Sequence, residues 1–307
     1  MMDGILPLYK ERGMTSNDAV FKCRKIFKTG KVGHSGTLDP NVDGVLPICI
    51  GRATKVVNYM MESGKVYQGE ITLGFATETE DLEGEIVEQT ELQAAIPASQ
   101  IDEKMQELTG TMIQIPPMYS AIKVNGRRLY DYARHNEPVK RPERQITVDY
   151  FKQTKPTVFD PETGRQKIYF EVGCQKGTYV RTLAVDLGKK LGVPSVMSEL
   201  TRLESGGFTL NDAVDLKTLA AMDESELQQA LKPVSHALHK YAHYDLNEEQ
   251  WKIVQNGGFL APARLGVDLE KLPEKKLVLF YEDRARCVYY YKESKQRFQP
   301  EQMIDLV

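Results

Sequence analysis

The spacing of hydrophobic residues predicts two helices near the N-terminus with a loop between them. The first follows Ser16, which we interpret as its N-cap, and ends near Gly30. Its apolar side consists of Val20, Cys23 and Phe27. A short second helix is predicted after Arg52, with Val56, Val57 and Met60 pointing inward. Between the helices the chain is rich in glycine and proline, so we expect an ordered loop there.

Alternation of apolar and polar positions predicts strands further along the chain. Over residues 65–75 the alternation indicates a strand buried on one face, with Tyr67 pointing inward. Two more strands are predicted over residues 145–151 and 167–174. We expect the acidic residues 78–91 to form a surface loop and a sheet edge.

Helical spacing and turn residues complete the pattern of this region. Helices are predicted over residues 102–108 and 179–191, and the second should end at Gly192. Asn125-Gly126 predicts a tight turn, which a short helix follows. No internal repeat or low-complexity segment is apparent.

From about residue 240 the pattern becomes that of a small β-rich module. Asn247 should begin a short helix that contains Trp251, and residues 276–292 are interpreted as two strands joined by a turn. The chain is therefore predicted to be α+β, with a mixed, largely antiparallel sheet. We expect one domain over residues 1–240, with an insertion around 120–145, and a C-terminal module over 241–307.

Composition indicates a globular protein whose charge is unevenly distributed. The 307 residues are 41% hydrophobic and 27% charged, which excludes disordered and fibrous classes. The net charge of −3 excludes a protein that coats nucleic acid through bulk charge. Residues 1–60 nevertheless contain nine bases and five acids, whereas residues 61–110 contain two bases and twelve acids. The chain can therefore present a basic surface despite its negative net charge.

The distribution of apolar residues and cysteines indicates the cellular compartment of the protein. The sequence contains no run of about 18 apolar residues and does not begin like a secretion signal, so we expect a cytoplasmic protein without a membrane span. The four cysteines lie far apart without a CxxC pair, which predicts buried free thiols.

Two patterns resemble metal sites, but neither meets the requirements of one. Residues 39–44 match the opening of a calcium loop, yet Ile50 stands where the loop requires a bidentate Glu. His236, His239 and His243 have spacings that would align on one helix face. No substrate-binding loop surrounds these histidines, and we interpret them as surface or interdomain residues. We expect no metal.

Phosphate-binding and hydrolase motifs are also absent. The glycine-rich loop contains neither a Walker sequence nor GxGxxG, and Ser35 does not fit the register of a nucleophile elbow.

Asp39 in the same loop is the strongest candidate for chemistry. An Asp before Pro can simply stabilise a turn through its carboxylate. A functional role requires instead a cation that keeps the carboxylate ionised in a desolvated pocket. Arg181, at the start of the predicted helix 179–191, is a candidate for this cation, although such an arginine is also typical of a helix end. The residues alone leave both interpretations open.

Four ordered motifs resemble the tRNA pseudouridine synthase B (TruB) family. The first is GHSGTLDP at residues 33–40, continuing to GVLP at 44–47 and GRATK at 51–55. The others are KVY at 65–67, PPMYSAIK at 116–123 and KGTYVRT at 176–182. The similarity spans at least residues 4–208, and the C-terminal part resembles a PUA-type RNA-binding module only loosely. Val42 and Asp43 replace residues that are usually small or hydroxylated in the family, which puts local loop contacts in doubt.

The resemblance implies a pseudouridine synthase fold and isomerisation of the T-loop uridine (uridine-55) of tRNA, without cofactor or metal. It implies that Asp39 is the essential catalyst, that Tyr67 packs on the target base and takes part in proton removal, and that Arg181 pairs with the aspartate. His34, Tyr179 and Leu200 match positions around the flipped nucleotide.

The partner expected from this resemblance is the T arm of tRNA. Basic residues of the insertion alternate with tyrosines, a mixture suited to phosphate contacts and base stacking; they include Lys123, Arg127, Arg128 and Arg134. We expect a monomer. The competing hypothesis is a non-catalytic protein that binds or folds tRNA, and the presence of Asp39, Tyr67 and Arg181 favours the enzyme.

Overall fold

Strands and short helices alternate along the chain, which confirms the α+β prediction. The structure is a computed structural model and describes residues 2–306. The strands described are β1 Gly4–Lys10, β2 Val32–His34, β3 Asp43–Ile50, β4 Lys65–Leu73, β5 Phe75–Thr77, β6 Ile86–Gln89, β7 Gly110–Gln114, β8 Lys123–Val124, β9 Arg127–Arg128, β10 Arg144–Asp160, β11 Arg165–Cys174, β12 Ser195–Ser205, β13 Phe208–Thr209, β14 Val214–Asp215, β15 Ala242–Asp245, β16 Lys276–Tyr281, β17 Arg284–Lys292 and β18 Arg297–Met303.

The helices are short. The α-helices described are α1 Ser16–Ile26, α2 Val57–Met61, α3 Ala98–Gln106, α4 Leu129–Arg134, α5 Val180–Leu191, α6 Leu216–Ala221, α7 Glu224–Ala230, α8 Glu248–Val254 and α9 Pro262–Leu265. Single 3-10 turns lie at Gly51–Val56, Leu210–Asp212, Val234–Leu238, Leu269–Lys271, Pro273–Lys275 and Glu293–Lys295.

Contacts group the chain into two compact units that do not follow chain order. The first unit contains residues up to 40, residues 45–62 and the chain from residue 206 onward. The second contains residues 41–44 and 63–205. The predicted boundary near residue 240 concerns a sequence module and stays a prediction.

The second unit is built on antiparallel strands in the order β12-β4-β11-β10-β7. The predicted strand at 65–75 is β4, and the predicted inward position of Tyr67 is confirmed, since this side chain is 8% exposed. Burial on β4 extends to both faces, because Glu70 and Thr72 are buried as well as Ile71 and Leu73. The strand therefore lies at the centre of the unit rather than on a half-exposed surface.

One parallel contact makes this sheet mixed. Asp43 and Gly44, at the start of β3, pair in parallel with Thr201 and Arg202 of β12. Gly44 has a φ of 115°, and a Cβ at this position would lie 2.2 Å from the carbonyl oxygen of Arg202. Only glycine allows the two backbones to approach so closely.

The first unit has a core to which both ends of the chain contribute. Its strand β1 lies between β14 and β3. One hydrophobic cluster joins Ile5, Val45 and Tyr59 to Val288 and Ile304 of the C-terminal strands. The sheet β15-β16-β17-β18 packs a second cluster on itself, including Val254, Leu260 and Phe298. The predicted C-terminal strands are confirmed, and Asn247 caps α8 as expected.

Several local predictions are confirmed and three are wrong. Helix α5 ends at Gly192 in the left-handed conformation, and Asn125-Gly126 joins β8 to β9. The four cysteines are free and buried. The Gly/Pro-rich segment, however, contains β3, an eight-residue strand that the sequence did not indicate.

The second error concerns the first helix, whose N-cap is Thr15 rather than Ser16. The Thr15 side chain accepts from the Asp18 backbone N–H, and Asp18 accepts from the Thr15 N–H, which forms a capping box. The third error is limited to the start of the acidic segment 78–91, where Thr79 is buried; the rest of the segment is mostly exposed and contains the exposed strand β6, as expected.

Candidate active site

The loop containing Asp39 is held on both sides by buried groups of the first unit. The Ser16 hydroxyl is buried, accepts from the Leu38 N–H at 2.9 Å and donates to the Leu38 carbonyl at 3.1 Å. The Pro40 carbonyl accepts from the Lys10 ammonium at 3.2 Å and from the Gly13 N–H at 2.9 Å. Asp39 lies between these two fixed residues and is half-buried. The loop is therefore rigid on both sides of the carboxylate.

His34 lies at the end of β2 in the same unit and is half-buried. Its Nδ1 accepts from the Gly36 N–H at 3.3 Å, so in this arrangement a ring proton belongs on Nε2.

In the second unit, two predicted site residues lie on one face of the sheet. Gly69 of β4 pairs with Leu200 of β12, and Tyr67 pairs with Arg202, so Tyr67 and Leu200 are diagonal neighbours across the strands. Both side chains are buried. An aromatic ring and a leucine are thus placed next to each other, the pair of surfaces that a planar base can contact.

Arg181 is the second residue of α5 and is 5% exposed. Its guanidinium donates to the Thr79 carbonyl at 2.8 Å and to the Tyr119 carbonyl at 3.0 Å, and it lies 3.5 Å from a carboxylate oxygen of Asp81. These contacts join the KGTYVRT and PPMYSAIK motifs in space. They also correct the expectation for the acidic segment, because Thr79 and Asp81 contact a buried arginine rather than solvent alone.

Glu80, between these two residues, is half-buried. Glu80 accepts from the Thr182 hydroxyl at 2.6 Å, and burial raises the pKa of this carboxyl, partly offset by the Thr182 hydrogen bond and the charge of Arg181. The start of α5 is therefore surrounded by carboxyl groups from residues 80 and 81.

Gln114 is a site residue that the sequence did not reveal. Its amide donates to the Tyr179 carbonyl at 3.1 Å and accepts from the Tyr179 N–H at 2.8 Å, and the side chain is buried. These two bonds fix the backbone of Tyr179 directly before α5. A glutamine in the run IQIPP shows no periodicity that would mark it, so no signal could have identified it.

Two cations next to Tyr67 were missed as well. Arg202 is fully buried on β12 opposite Tyr67, and Lys65 lies two residues before that tyrosine. Burial and, secondarily, the charge of Arg202 lower the pKa of Lys65 to about 8. Two cationic side chains therefore lie next to Tyr67 in this sheet.

The insertion forms the predicted hairpin and helix, with its cations against tyrosine rings. Arg127 lies 4.5 Å from the Tyr132 ring and forms an ion pair with Glu137 at 2.7 Å. Arg128 and Arg134 lie 5.6 Å and 5.2 Å from the Tyr130 ring. Lys123 and the three arginines are exposed. This surface can contact phosphates and bases at once.

The structure therefore brings together some of the predicted residues. Tyr67 lies next to Leu200, and Arg181 contacts the motif that contains Tyr119, all within the second unit. Asp39 and His34 belong to the first unit. The pairing of Asp39 with Arg181 stays a prediction.

Two further features concern the described residues 2–306. Within that range no three His, Cys, Asp or Glu side chains are grouped so that they could hold a metal ion. No helix there combines the length and apolar character needed to cross a bilayer.

Solved structures with a similar fold define the class of protein. The chain resembles the crystal structure of a Cbf5-Nop10-Gar1 complex with a TM-score of 0.69 and 23% identity, covering 98% of this chain and 84% of that one. It resembles an H/ACA RNP bound to a substrate RNA containing 2'-deoxyuridine with a TM-score of 0.68 and 22% identity, covering 98% and 85%. The fold is that of the pseudouridine synthases.

Family models and curated relatives then identify the family. Residues 24–180 match the N-terminal domain of TruB family pseudouridylate synthases, and residues 181–239 match the C-terminal domain of tRNA pseudouridylate synthase B. The tRNA pseudouridine synthase B of Ligilactobacillus salivarius is 60% identical, covering 99% of this chain and all of that one. That of Lactiplantibacillus plantarum is 54% identical, covering 99% of both. The chain belongs to the TruB family of pseudouridylate synthases.

Proposed function

We propose that this chain is a tRNA pseudouridine synthase that isomerises the T-loop uridine (uridine-55) to pseudouridine. The observation that supports this most directly is Asp39 on a loop whose neighbours, Leu38 and Pro40, are held by buried hydrogen bonds. A protein that merely binds tRNA has no need for a carboxylate positioned in this way. The named relatives, 54–60% identical over almost the whole chain, favour the same reaction.

The reaction requires one positioned carboxylate and a closed pocket. The C–N glycosidic bond of uridine breaks, the uracil turns, and a C–C bond forms from C5, which loses its proton. No atom is gained and no electron is transferred overall, so we expect neither cofactor nor metal. Asp39 is proposed as the catalyst, acting on the sugar or the base. Water must be excluded while the base is detached.

The remaining site residues are proposed to bind and orient the flipped uridine. Tyr67 and Leu200 contact the two sides of the base, an arrangement supported by their placement on one sheet face. Arg181 is proposed to pair with Asp39, and its 5% exposure shows that the guanidinium is shielded from water. His34 and Tyr179 contact the flipped nucleotide, and fixing the Tyr179 backbone through Gln114 limits its movement.

The T arm is proposed to dock on the insertion. Lys123, Arg127, Arg128 and Arg134 are exposed and three of them lie against tyrosines, which supports contact with an irregular RNA loop. We propose further that residues 241–307 form a PUA-like RNA-binding module, that the enzyme is a monomer, and that it acts in the cytoplasm, where tRNA is modified.

Tritium release from tRNA labelled at C5 of uridine tests the proposal. The native chain should release tritium, and Asp39→Asn should release none while retaining tRNA affinity, because the amide keeps the shape but not the charge. Asp245→Asn, at an exposed position far along the chain, is the control for the same chemical change and should retain turnover. If neither the native chain nor Asp39→Asn releases tritium although both bind tRNA, the result would support the non-catalytic tRNA-binding alternative.

A further inference from the structure

The exposed face of α1 and the residues after it contain a cluster of cations that the active site does not use. We call this cluster the α1 basic face; it consists of Lys22, Arg24, Lys25, Lys28 and Lys31, together with Phe21. All six are exposed, and Phe21 is 55% exposed with the Lys25 ammonium 4.6 Å from its ring centroid. The opposite side of the helix is buried through Ala19, Val20 and Cys23.

These cations form no ion pairs among the described residues, and the carboxylate that interacts with one of them, Asp18 with Lys22, does so at longer range. Within residues 2–306, none of the five has a carboxylate at ion-pairing distance. By contrast, Lys152, Lys189 and Lys252 elsewhere on the surface each have an acidic partner. Arg24 and Lys25 lie in the last turn of α1, where a cation stabilises the helix dipole. That explanation does not extend to Lys22, Lys28 or Lys31.

Lys28 is held in a conformation that lysine disfavours. It follows the C-cap Phe27 and has a φ of 49°, in the left-handed region where helices usually have glycine. Glycine would adopt this conformation without strain, so the backbone here does not require a lysine side chain.

The α1 basic face is connected to the catalytic loop at both ends. At its start, Ser16 bonds the backbone of Leu38 next to Asp39. At its end, Lys31 directly precedes β2, which contains His34. Eleven residues of helix span about 16 Å at 1.5 Å per residue. The cations therefore lie close to the loop in the chain and within one helix length of it.

We propose that the α1 basic face binds the phosphate backbone of the helical stem that flanks the target loop of tRNA. The proposal rests on the proposed function, which supplies the polyanion. A membrane surface fits less well, because the apolar side of α1 is buried in the protein and Phe21 is the one large apolar side chain in the α1 basic face. Five cations without acidic partners are instead complementary to a row of phosphates.

The test is a triple variant, Lys22→Gln, Lys25→Gln and Lys28→Gln, assayed with whole tRNA in the full chain. The KM and the Kd for tRNA should rise about tenfold near physiological salt, with kcat unchanged. The slope of log Kd against log salt should become shallower by about 2 to 3, because each phosphate contact contributes about one. The control is Lys152→Gln, Lys167→Gln and Lys189→Gln, which removes the same charge from lysines paired with Glu171, Glu70 and Asp186 and should change neither value.

Lys28→Gly separates binding from folding. Glycine removes the cation and relieves the left-handed strain, so the melting temperature should stay constant or rise while the KM for tRNA rises. If Lys28 instead has a structural role, the melting temperature should fall when the KM for tRNA rises.

Each outcome distinguishes the proposals. If the triple variant has the same Kd and salt slope as the control triple, the RNA-binding role of the α1 basic face is wrong. The same conclusion follows if only binding to vesicles of phosphatidylglycerol is lost, which would make the face a membrane surface. If the native chain binds tRNA through this face without turnover, the proposed catalytic function fails while the inference stands.

Discussion

At the scale of single residues, one buried hydroxyl organises the catalytic loop. Ser16 satisfies both the N–H and the carbonyl of Leu38, two backbone groups that lie next to Asp39 and have few other partners in a loop. A helix-capping role, which the sequence indicated, belongs to Thr15 instead. The position of the carboxylate therefore depends on a residue 23 positions earlier in the chain.

Replacing this residue should affect both stability and turnover. Ser16→Ala leaves the Leu38 backbone groups unpaired, so the free energy of unfolding should fall by about 1–3 kcal/mol. The kcat should fall as well, because Asp39 loses its fixed neighbour. Denaturant unfolding and the tritium-release assay measure the two effects. Ser294→Ala, at an exposed position, is the control. An unchanged kcat in the destabilised variant would show that the loop holds its geometry without Ser16.

Lys65 should give the stability of the chain a characteristic pH dependence. Its pKa is lowered to about 8 by burial and by Arg202, from an ordinary value of 10.5. Between these two values the folded chain has released the proton that the unfolded chain still binds, so this residue makes stability rise with pH. Below pH 8 both states bind the proton and the cost of burying the charge is fully present.

The measurement compares the native chain with Lys65→Met by denaturant unfolding at several pH values. The free energy of unfolding of the native chain, measured relative to that of Lys65→Met, should rise by about 1 kcal/mol per pH unit above pH 8. Buried cysteines and tyrosines have raised pKa values and make stability fall with pH. Because both chains contain them, their contribution cancels in the difference between the two unfolding free energies. A difference that is constant with pH would contradict the lowered pKa.

At the scale of elements, the contact between β3 and β12 depends on the absence of one side chain. Gly44 has a positive φ and lies against the backbone of Arg202, which itself is fully buried opposite Tyr67. The start of β3 follows the Asp39 loop by only four residues. This strand pairing therefore fixes the start of β3 against β12.

Gly44→Ala should separate these strands. The added Cβ would meet the Arg202 backbone at 2.2 Å, which no side-chain movement can relieve. We expect the free energy of unfolding to fall by at least about 2 kcal/mol, and turnover to fall with it. Gly13→Ala is a matched control, because Gly13 also has a positive φ, 84°, but has no atom within 4 Å of an added Cβ. If Gly44→Ala and Gly13→Ala lose the same free energy of unfolding, the positive φ alone would explain the effect and the contact with Arg202 would not contribute.

At the scale of the whole molecule, the C-terminal strands share a core with the first residues of the chain. Ile5 and Tyr59 belong to the same cluster as Val288 and Ile304. Polar contacts reinforce it, since Arg52 forms ion pairs with both Asp3 and Asp305. The predicted C-terminal module is therefore embedded in the first unit.

Truncation after residue 240 tests how independent the module is. The shortened chain should lose its cooperative unfolding transition and aggregate, because the apolar surfaces of Ile5, Val45 and Tyr59 lose their cover. Ile304→Ala in the full chain is a graded comparison and should cost about 2–5 kcal/mol without abolishing folding. A truncated chain that unfolds cooperatively at the native temperature would show that the module folds separately.

The sequence by itself determined the elements whose signals are local. The periodicity of α1 and α5, the turn at Asn125-Gly126 and the alternation of β4 depend on neighbours a few residues apart, so they were predicted within a few positions. The four motifs likewise indicated the family and the identity of Asp39. Such motifs can be found in the sequence because the chemistry requires particular residue types at particular positions.

Only the tertiary structure decided which polar residues are buried and what they contact. β3 was missed because its Gly44 and Pro47 read as loop residues, while its pairing partner β12 lies about 150 residues later. Gln114, Arg202 and the acidic residues around Arg181 acquire their roles from strands and helices far away in the chain. Burial of a polar group is stable only when distant partners satisfy it, and no local pattern records those partners.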